Sequence, residues 1–308
     1  MLHELKFKSF NERDDIYGFI NVPASEIKGI IQLIHGFGEH SRRYLHMISK
    51  FVDKGYIVCY DDHVGHGKTA IENNSWGDFG NKGYTTMVED EYSLYKKTIE
   101  LYPNYKYFIF GHSMGSMIAR QFMARYKDTI DAVTICGTTG TIEGSKEIKA
   151  YLEKLIEEGK ADQANPDALG EIFKSFFVKI DEEIKLGNEW ICHDKYVQLD
   201  HAKDPFNAFT KPTNNQSLLY FIQMLEEIDS KEWAEKVPKN LPIYNIAGDE
   251  DPVGNFGQGV KKVSTWLEET GHDVKTKIYK GYRHEIHNYP DIRDEVEDGI
   301  ISFFDSKL

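Results

Sequence analysis

The sequence predicts an α/β fold, a mostly parallel central sheet flanked by helices, with a helical cap inserted between core strands. Three observations carry that prediction. Short apolar, β-rich runs recur between amphipathic stretches. One of them, Tyr107-Phe108-Ile109-Phe110, passes directly into Gly111-His112-Ser113-Met114-Gly115 and then into a helical pattern. Finally, about a hundred residues between two of the runs contain no convincing strand.

In chain order, residues 5–10 and 15–22 read as an opening antiparallel pair. Residues 29–34, 56–60, 105–110, 132–136, 241–247 and 274–279 read as buried strands. Apolar residues at helical spacing predict helices over 44–53, 85–102, 114–126 and 258–270. From about 140 to 237 only charged amphipathic segments appear, such as 146–158 and 218–227. Insertions at the carboxyl ends of parallel strands can cover a site. The division is therefore a core of residues 1–139 and 236–308 and a cap of residues 140–235.

A length of 308 residues suits one large domain carrying an insertion, and 40% hydrophobic with 28% charged residues is ordinary for a globular chain. The net charge of −13 disfavours nucleic acid and strongly anionic membranes, because the long-range field repels them. It leaves room for neutral lipids and for transient contact of the cap with a membrane or micelle. Cys59, Cys136 and Cys192 cannot all pair within one chain, and the first two lie in strands, where a buried free thiol is expected. With no apolar signal segment at Met1-Leu2-His3-Glu4, a reducing, cytoplasmic setting is the expectation.

A strand that ends on Gly-x-Ser-x-Gly and turns at once into a helix is a nucleophile elbow, with the serine hydroxyl exposed at the strand's end. The pentapeptide alone would arise by chance in roughly one chain in ten of this composition, so its surroundings must decide. Strand 29–34 ends in His35-Gly36-Phe37-Gly38-Glu39-His40, whose glycines let backbone N–H groups approach a developing oxyanion. The donors would be Phe37 and Met114, the residue after the nucleophile. Strand 241–247 is followed by Gly248-Asp249-Glu250-Asp251-Pro252, which offers three acids to orient a histidine. Chemistry alone does not choose among them, although Asp249 and Glu250 read as solvated turn carboxylates. Strand 274–279 is followed by Gly281-Tyr282-Arg283-His284-Glu285-Ile286-His287, where either histidine could be the base.

Together these segments resemble the monoacylglycerol lipase and lysophospholipase branch of the α/β-hydrolases, whose relatives are often labelled serine aminopeptidase-like. The resemblance rests on His35 to Ser41, on Asp62-His63-Val64-Gly65-His66-Gly67, on the elbow, on Gly248 to Asp251 and on His284. It covers nearly the whole chain apart from the cap. It implies a triad of Ser113, His284 and Asp251, since the family places its acid three residues after the glycine. It also implies that Glu39, Arg43, His112 and His287 lie near the polar end of the pocket, where a glycerol-like leaving group would sit. Phe37 departs from the small residues common in the family, and Ser116 replaces a second glycine after Gly115.

The expected activity is serine carboxylic ester hydrolysis through an acyl-enzyme, with an acyl ester or lipid as the small-molecule substrate and no cofactor or metal. An aminopeptidase, amidase or thioesterase on the same triad is the alternative, and a non-catalytic binding module is the remote one. Gly65-His66-Gly67-Lys68-Thr69 ends like a phosphate loop but has Asp62 where that loop needs glycine. His284 and His287 lack the i, i+4 spacing of a zinc-protease helix. His63 and His66 are expected to pin their own loop. Glu89-Asp90-Glu91 reads as the solvated face of its helix. Phe173, Phe176, Phe177, Trp190, Tyr220 and Phe221 could line an acyl tunnel or simply pack in the cap.

Overall fold

The computed structural model describes every residue except 208 and 210. Its single sheet contains β1 (Leu2–Lys8), β2 (Asp15–Asn21), β3 (Gly29–Ile34), β4 (Tyr56–Asp62), β5 (Tyr107–His112), β6 (Ala132–Cys136), β7 (Ile243–Gly248) and β8 (Val274–Tyr279). Their spatial order is β1-β2-β4-β3-β5-β6-β7-β8. The pairs β1–β2 and β2–β4 are antiparallel, and every pair from β4 to β8 is parallel.

The helices are α1 (Leu45–Asp53), α2 (Gly67–Asn73), α3 (Thr86–Leu101), α4 (Met114–Arg125), α5 (Ser145–Glu157), α6 (Pro166–Phe173), α7 (Lys195–Lys203), α8 (Asn215–Ile228), α9 (Lys231–Lys236), α10 (Gln258–Glu269) and α11 (Arg293–Asp305). Side chains alternate across a strand, so β3 divides its apolar residues between the two faces. Ile31 and Leu33 join the layer that holds Met47, Ile48 and Phe51 of α1 and Val296, Ile300 and Phe304 of α11. Ile30 and Ile34 join the layer under α3, α4 and α10, with Met87, Met117, Phe122 and Val263. None of the described helices is long and apolar enough to cross a membrane.

Between β6 and β7 the described residues form no strand of the sheet, only helices and one isolated bridge, Ala164–Asn214. Local capping explains several of these helices. Asn165 accepts from Ala168 N–H ahead of Pro166, Asp194 caps α7, Asn214 caps α8 and Ser230 caps α9. The α5–α8 pair packs against α4 and so ties this segment to the core.

The structure corrects three sequence expectations. Residues 274–279 form the edge strand β8, whose Lys275 and Thr276 are exposed, because among the described residues no strand pairs with its outer side. Strand β5 starts at Tyr107, leaving Tyr105 outside it and 39% exposed. The acidic run at 89–91 is not a solvated face, since Asp90 is 1% and Glu91 0% exposed. Glu91 shares the inward stripe of α3 with Met87, Leu94 and Thr98, at the spacing that puts residues on one helix face.

Candidate active site

Parallel strands deliver their following residues to one edge of the sheet, and here five of them converge. Register places Ile34 opposite Gly111 and His112 opposite Cys136, so the ends of β3, β5 and β6 lie side by side. Gly248 is opposite Tyr279, which brings the loops carrying Asp251 and His284 together.

Ser113 is the sharpest point of this edge. It holds φ 56° and ψ −120°, a conformation that costs a non-glycine residue roughly 1–3 kcal/mol. Its N–H is fixed by the Cys136 carbonyl at 2.9 Å, and Ser116 Oγ donates to the Ser113 carbonyl at 2.6 Å. Serine is a favoured helix N-cap, yet the Ser113 hydroxyl does not cap α4 and stays uncommitted to the helix. The flanking glycines are required by packing. A Cβ on Gly115 would stand 2.1 Å from the Ile34 carbonyl oxygen, and one on Gly111 would stand 2.4 Å from that of Gly115.

His284 is 2% exposed and its Nδ1 lies 2.9 Å from Asp251 Oδ2 and 3.0 Å from Oδ1. Burial disfavours the imidazolium, but the Asp251 charge and hydrogen bond outweigh it, so the histidine is raised above its ordinary value. Its Nε2 is buried and has no hydrogen-bond partner among the described residues. The ring rests on Gly137, where a Cβ would come within 2.8 Å of Cε1, and faces Trp190 at a centroid distance of 5.3 Å. Gly137 directly follows Cys136, the residue that holds Ser113 N–H, so serine and histidine flank the same two residues. Asp249 instead accepts from Gly281 N–H and Glu250 pairs with His193, both at exposed positions. Of the three acids, Asp251 alone touches His284 among the described residues.

The N–H groups of Phe37 and Met114 have no acceptor among the described residues. Glu39 fixes the loop that carries Phe37, because its Oε1 accepts from Gly36 N–H at 2.7 Å. The remaining residues of the expected polar pocket form one buried network. Arg43 reaches Glu39 at 3.0 Å and grips Glu285 with two nitrogens, at 2.6 and 2.9 Å. Tyr44 Oη lies 2.5 Å from Glu39 Oε1 and 2.7 Å from His112 Nδ1. Burial works against the charge of Glu39, but His112 and Arg43 outweigh it and hold this carboxylate ionised. His287 stacks on Tyr44 at 4.9 Å and contacts His112 at 4.5 Å; burial, then His112, keep it neutral.

Tyr44, Gly137 and Glu285 are members of this site that sequence reasoning missed, and Trp190, expected only as a tunnel-lining or packing residue, lies against the His284 ring. Gly137, just past a strand end, was the one readable signal. The Arg43–Glu285 pair spans 242 residues and has no local signature. His112, Cys136 and His287 also bring donor atoms together, but Tyr44 occupies His112 Nδ1 and burial pushes the Cys136 thiol far up, which leaves a poor metal site.

Aromatic side chains from the helical segment pack onto the loop that carries Phe37. The Phe37 ring meets Phe173, Phe209 and Phe221 at centroid distances of 5.4, 5.8 and 5.4 Å. Phe176 packs on Phe173 and Trp190.

The sheet order, the strained strand-to-helix serine and the acid–histidine pair beyond β7 and β8 define an α/β-hydrolase. Residues 25–291 match the family described as serine aminopeptidase, S33. A thermostable carboxyl esterase from Bacillus coagulans, solved in complex with glycerol, is 53% identical, with a TM-score of 0.97 over 99% of this chain and 98% of its own. A monoglyceride lipase homolog from Monkeypox virus is 34% identical over 91% of this chain and 90% of its own. A monoacylglycerol lipase from Mycolicibacterium smegmatis is 25% identical over the same shares. The chain belongs to the serine aminopeptidase S33 family and is a carboxylic ester hydrolase.

Proposed function

We propose that the protein hydrolyses monoacylglycerol-like or lysophospholipid-like esters through an acyl-enzyme on Ser113. The observation that carries this reading is His284, tied through Nδ1 to buried Asp251 with its Nε2 left without a partner, on a ring that rests against Gly137, next to the residue that holds the Ser113 N–H. His284 takes the Ser113 proton as Oγ attacks the ester carbonyl, and Asp251 holds the imidazole in the tautomer that can accept it. The oxyanion is received by the N–H groups of Phe37 and Met114, worth roughly 3 kcal/mol per donor. His284 then protonates the leaving alcohol, and water repeats the sequence on the acyl-enzyme.

The helical segment 140–235 acts as the cap, and Phe37, Phe173, Phe176, Trp190 and Phe221 supply an apolar lining suited to an acyl chain. Glu39, Arg43, His112 and His287 form the polar end, where the leaving group would sit. A relative from Bacillus coagulans was solved in complex with glycerol, in keeping with a polyol leaving group. An aminopeptidase would need a free carboxylate for the substrate's α-amine. Both oxygens of Glu39 are engaged and Glu285 is neutralised by Arg43, which favours the ester reading.

Turnover of a long-chain monoacylglycerol, a lysophospholipid and an aminoacyl-arylamide, each with wild type and folded Ser113→Ala, tests this. Monoacylglycerol should be cleaved fastest and the variant should be inactive on all three. Preference for the arylamide would refute the substrate class, and near wild-type turnover by Ser113→Ala would refute the nucleophile.

A further inference from the structure

Behind the oxyanion loop, on the α3 side of the sheet, three buried side chains bring unpartnered polar atoms together. They are Asp61 at the end of β4, His63 just beyond it, and Glu91 on α3, with exposures of 1%, 1% and 0%. His63 Nδ1 lies 3.4 Å from Asp61 Oδ1 and 3.4 Å from Glu91 Oε1. The ligand atoms of all three lie within 4.8 Å of one another. None of these three atoms, nor Asp61 Oδ2, has a hydrogen-bond partner among the described residues.

The rest of each side chain is committed, which fixes where the free atoms point. His63 Nε2 donates to the His35 carbonyl oxygen at 3.2 Å, so in the neutral ring Nδ1 carries a lone pair. Gln32 Nε2 donates to Glu91 Oε2 and, at 3.0 Å, to the Glu91 carbonyl, leaving Oε1 free. Gln32 is in turn oriented by Tyr107 Oη at 2.5 Å. No lysine or arginine forms an ion pair with Asp61 or Glu91 among the described residues. Two buried carboxylates beside an imidazole lone pair need either a proton or a metal ion between them.

We propose that Asp61, His63 and Glu91 form a structural site for one divalent transition-metal ion of the zinc type. Ligand atoms held at about 2.0–2.2 Å in a tetrahedral array stand roughly 3.3–3.6 Å apart, which is the spacing seen around His63 Nδ1. One imidazole with two carboxylates suits zinc or a neighbouring ion better than calcium or magnesium, which favour all-oxygen shells. The hydrogen bond from the far side of the His63 ring to a backbone carbonyl is the support that metal-bound histidines commonly have.

The ion would have a mechanical consequence for the site nearby. His63 N–H donates to His35 Nε2 at 3.1 Å, the two rings stack at 3.9 Å, and His35 Nδ1 donates to the Gly36 carbonyl at 2.8 Å. Fixing His63 therefore braces the start of the oxyanion loop. The ion touches neither substrate nor triad, and its burial means that it is captured during folding rather than from solvent.

The test is metal content by mass spectrometry on full-length protein expressed in zinc-supplemented medium and purified without a polyhistidine tag. It should show about one zinc per chain in wild type and at least roughly tenfold less in Glu91→Gln and Asp61→Asn. Because those variants could fold poorly, wild type is also unfolded with chelator and refolded with Zn2+, with Co2+ or without metal. The zinc-refolded protein should melt about 5 °C higher than the metal-free one. The cobalt form should show the visible bands of a tetrahedral ion. A metal-free protein whose melting is the same with and without zinc would overturn the proposal and leave a proton shared by Asp61 and Glu91 as the neutralising charge.

Discussion

Ser113 and His284 are each held in states that folding alone would not choose. The serine sits at a positive φ and forgoes capping α4, while the histidine is buried with one ring nitrogen unpaired. Asp251 makes the second state tolerable, and its charge raises the pKa of His284. A general base must be neutral, so activity should fall as pH drops through that raised value, which lies above the ordinary 6.5. Asp251→Asn removes the cause of the upward shift. Its kcat should fall by about 10⁴-fold, and the acid limb of its kcat/KM profile should move to lower pH. Asp249→Asn, at an exposed turn, should remain within about twofold of wild type. If Asp249→Asn proves the more damaging, the wrong acid has been assigned. Sequence alone left three acids and two histidines open here. The distinction lies in contacts across 33 residues and in burial, neither of which a turn sequence such as Gly-Asp-Glu-Asp-Pro expresses.

At the scale of elements, the elbow is legible because its constraint is local. A strand, two glycines and a helix must be contiguous for the turn to exist, and the carbonyls of Ile34 and His35 explain why the second glycine has no substitute. Gly115→Ala puts a Cβ 2.1 Å from backbone, which no side-chain rotation relieves. Thermal melting and ester turnover should show destabilisation of about 3 kcal/mol or more together with loss of activity. A variant that melts like wild type and stays active would contradict the elbow geometry. The helical segment between β6 and β7 was legible as an absence of strands and as the two amphipathic stretches 146–158 and 218–227, where α5 and α8 lie. Its short helices α6, α7 and α9 carry readable N-caps at Asn165, Asp194 and Ser230, but their apolar periodicity spans too few turns to stand out. The α3 acids were misread for a related reason. Three successive charges look solvated, whereas the spacing of Met87, Glu91, Leu94 and Thr98 shows the middle of a buried stripe.

For the molecule as a whole, two unlike regions meet at Phe37. The sheet edge supplies a rigid polar constellation, braced by long-range pairs such as Arg43 with Glu285 and Gln32 with Glu91. The helical segment supplies aromatic surface that packs onto the same loop. On the proposed function, the core would carry the reaction and the helical segment the choice of substrate, and only the core was readable in detail from sequence motifs. The central claim is that one serine among the described residues is activated by this architecture. Labelling with a fluorophosphonate, followed by peptide mapping of the adduct, tests it most directly. The account predicts about one adduct per chain, located on Ser113, and none in folded His284→Ala or Ser113→Ala. An adduct on another residue, or undiminished labelling in either variant, would contradict it.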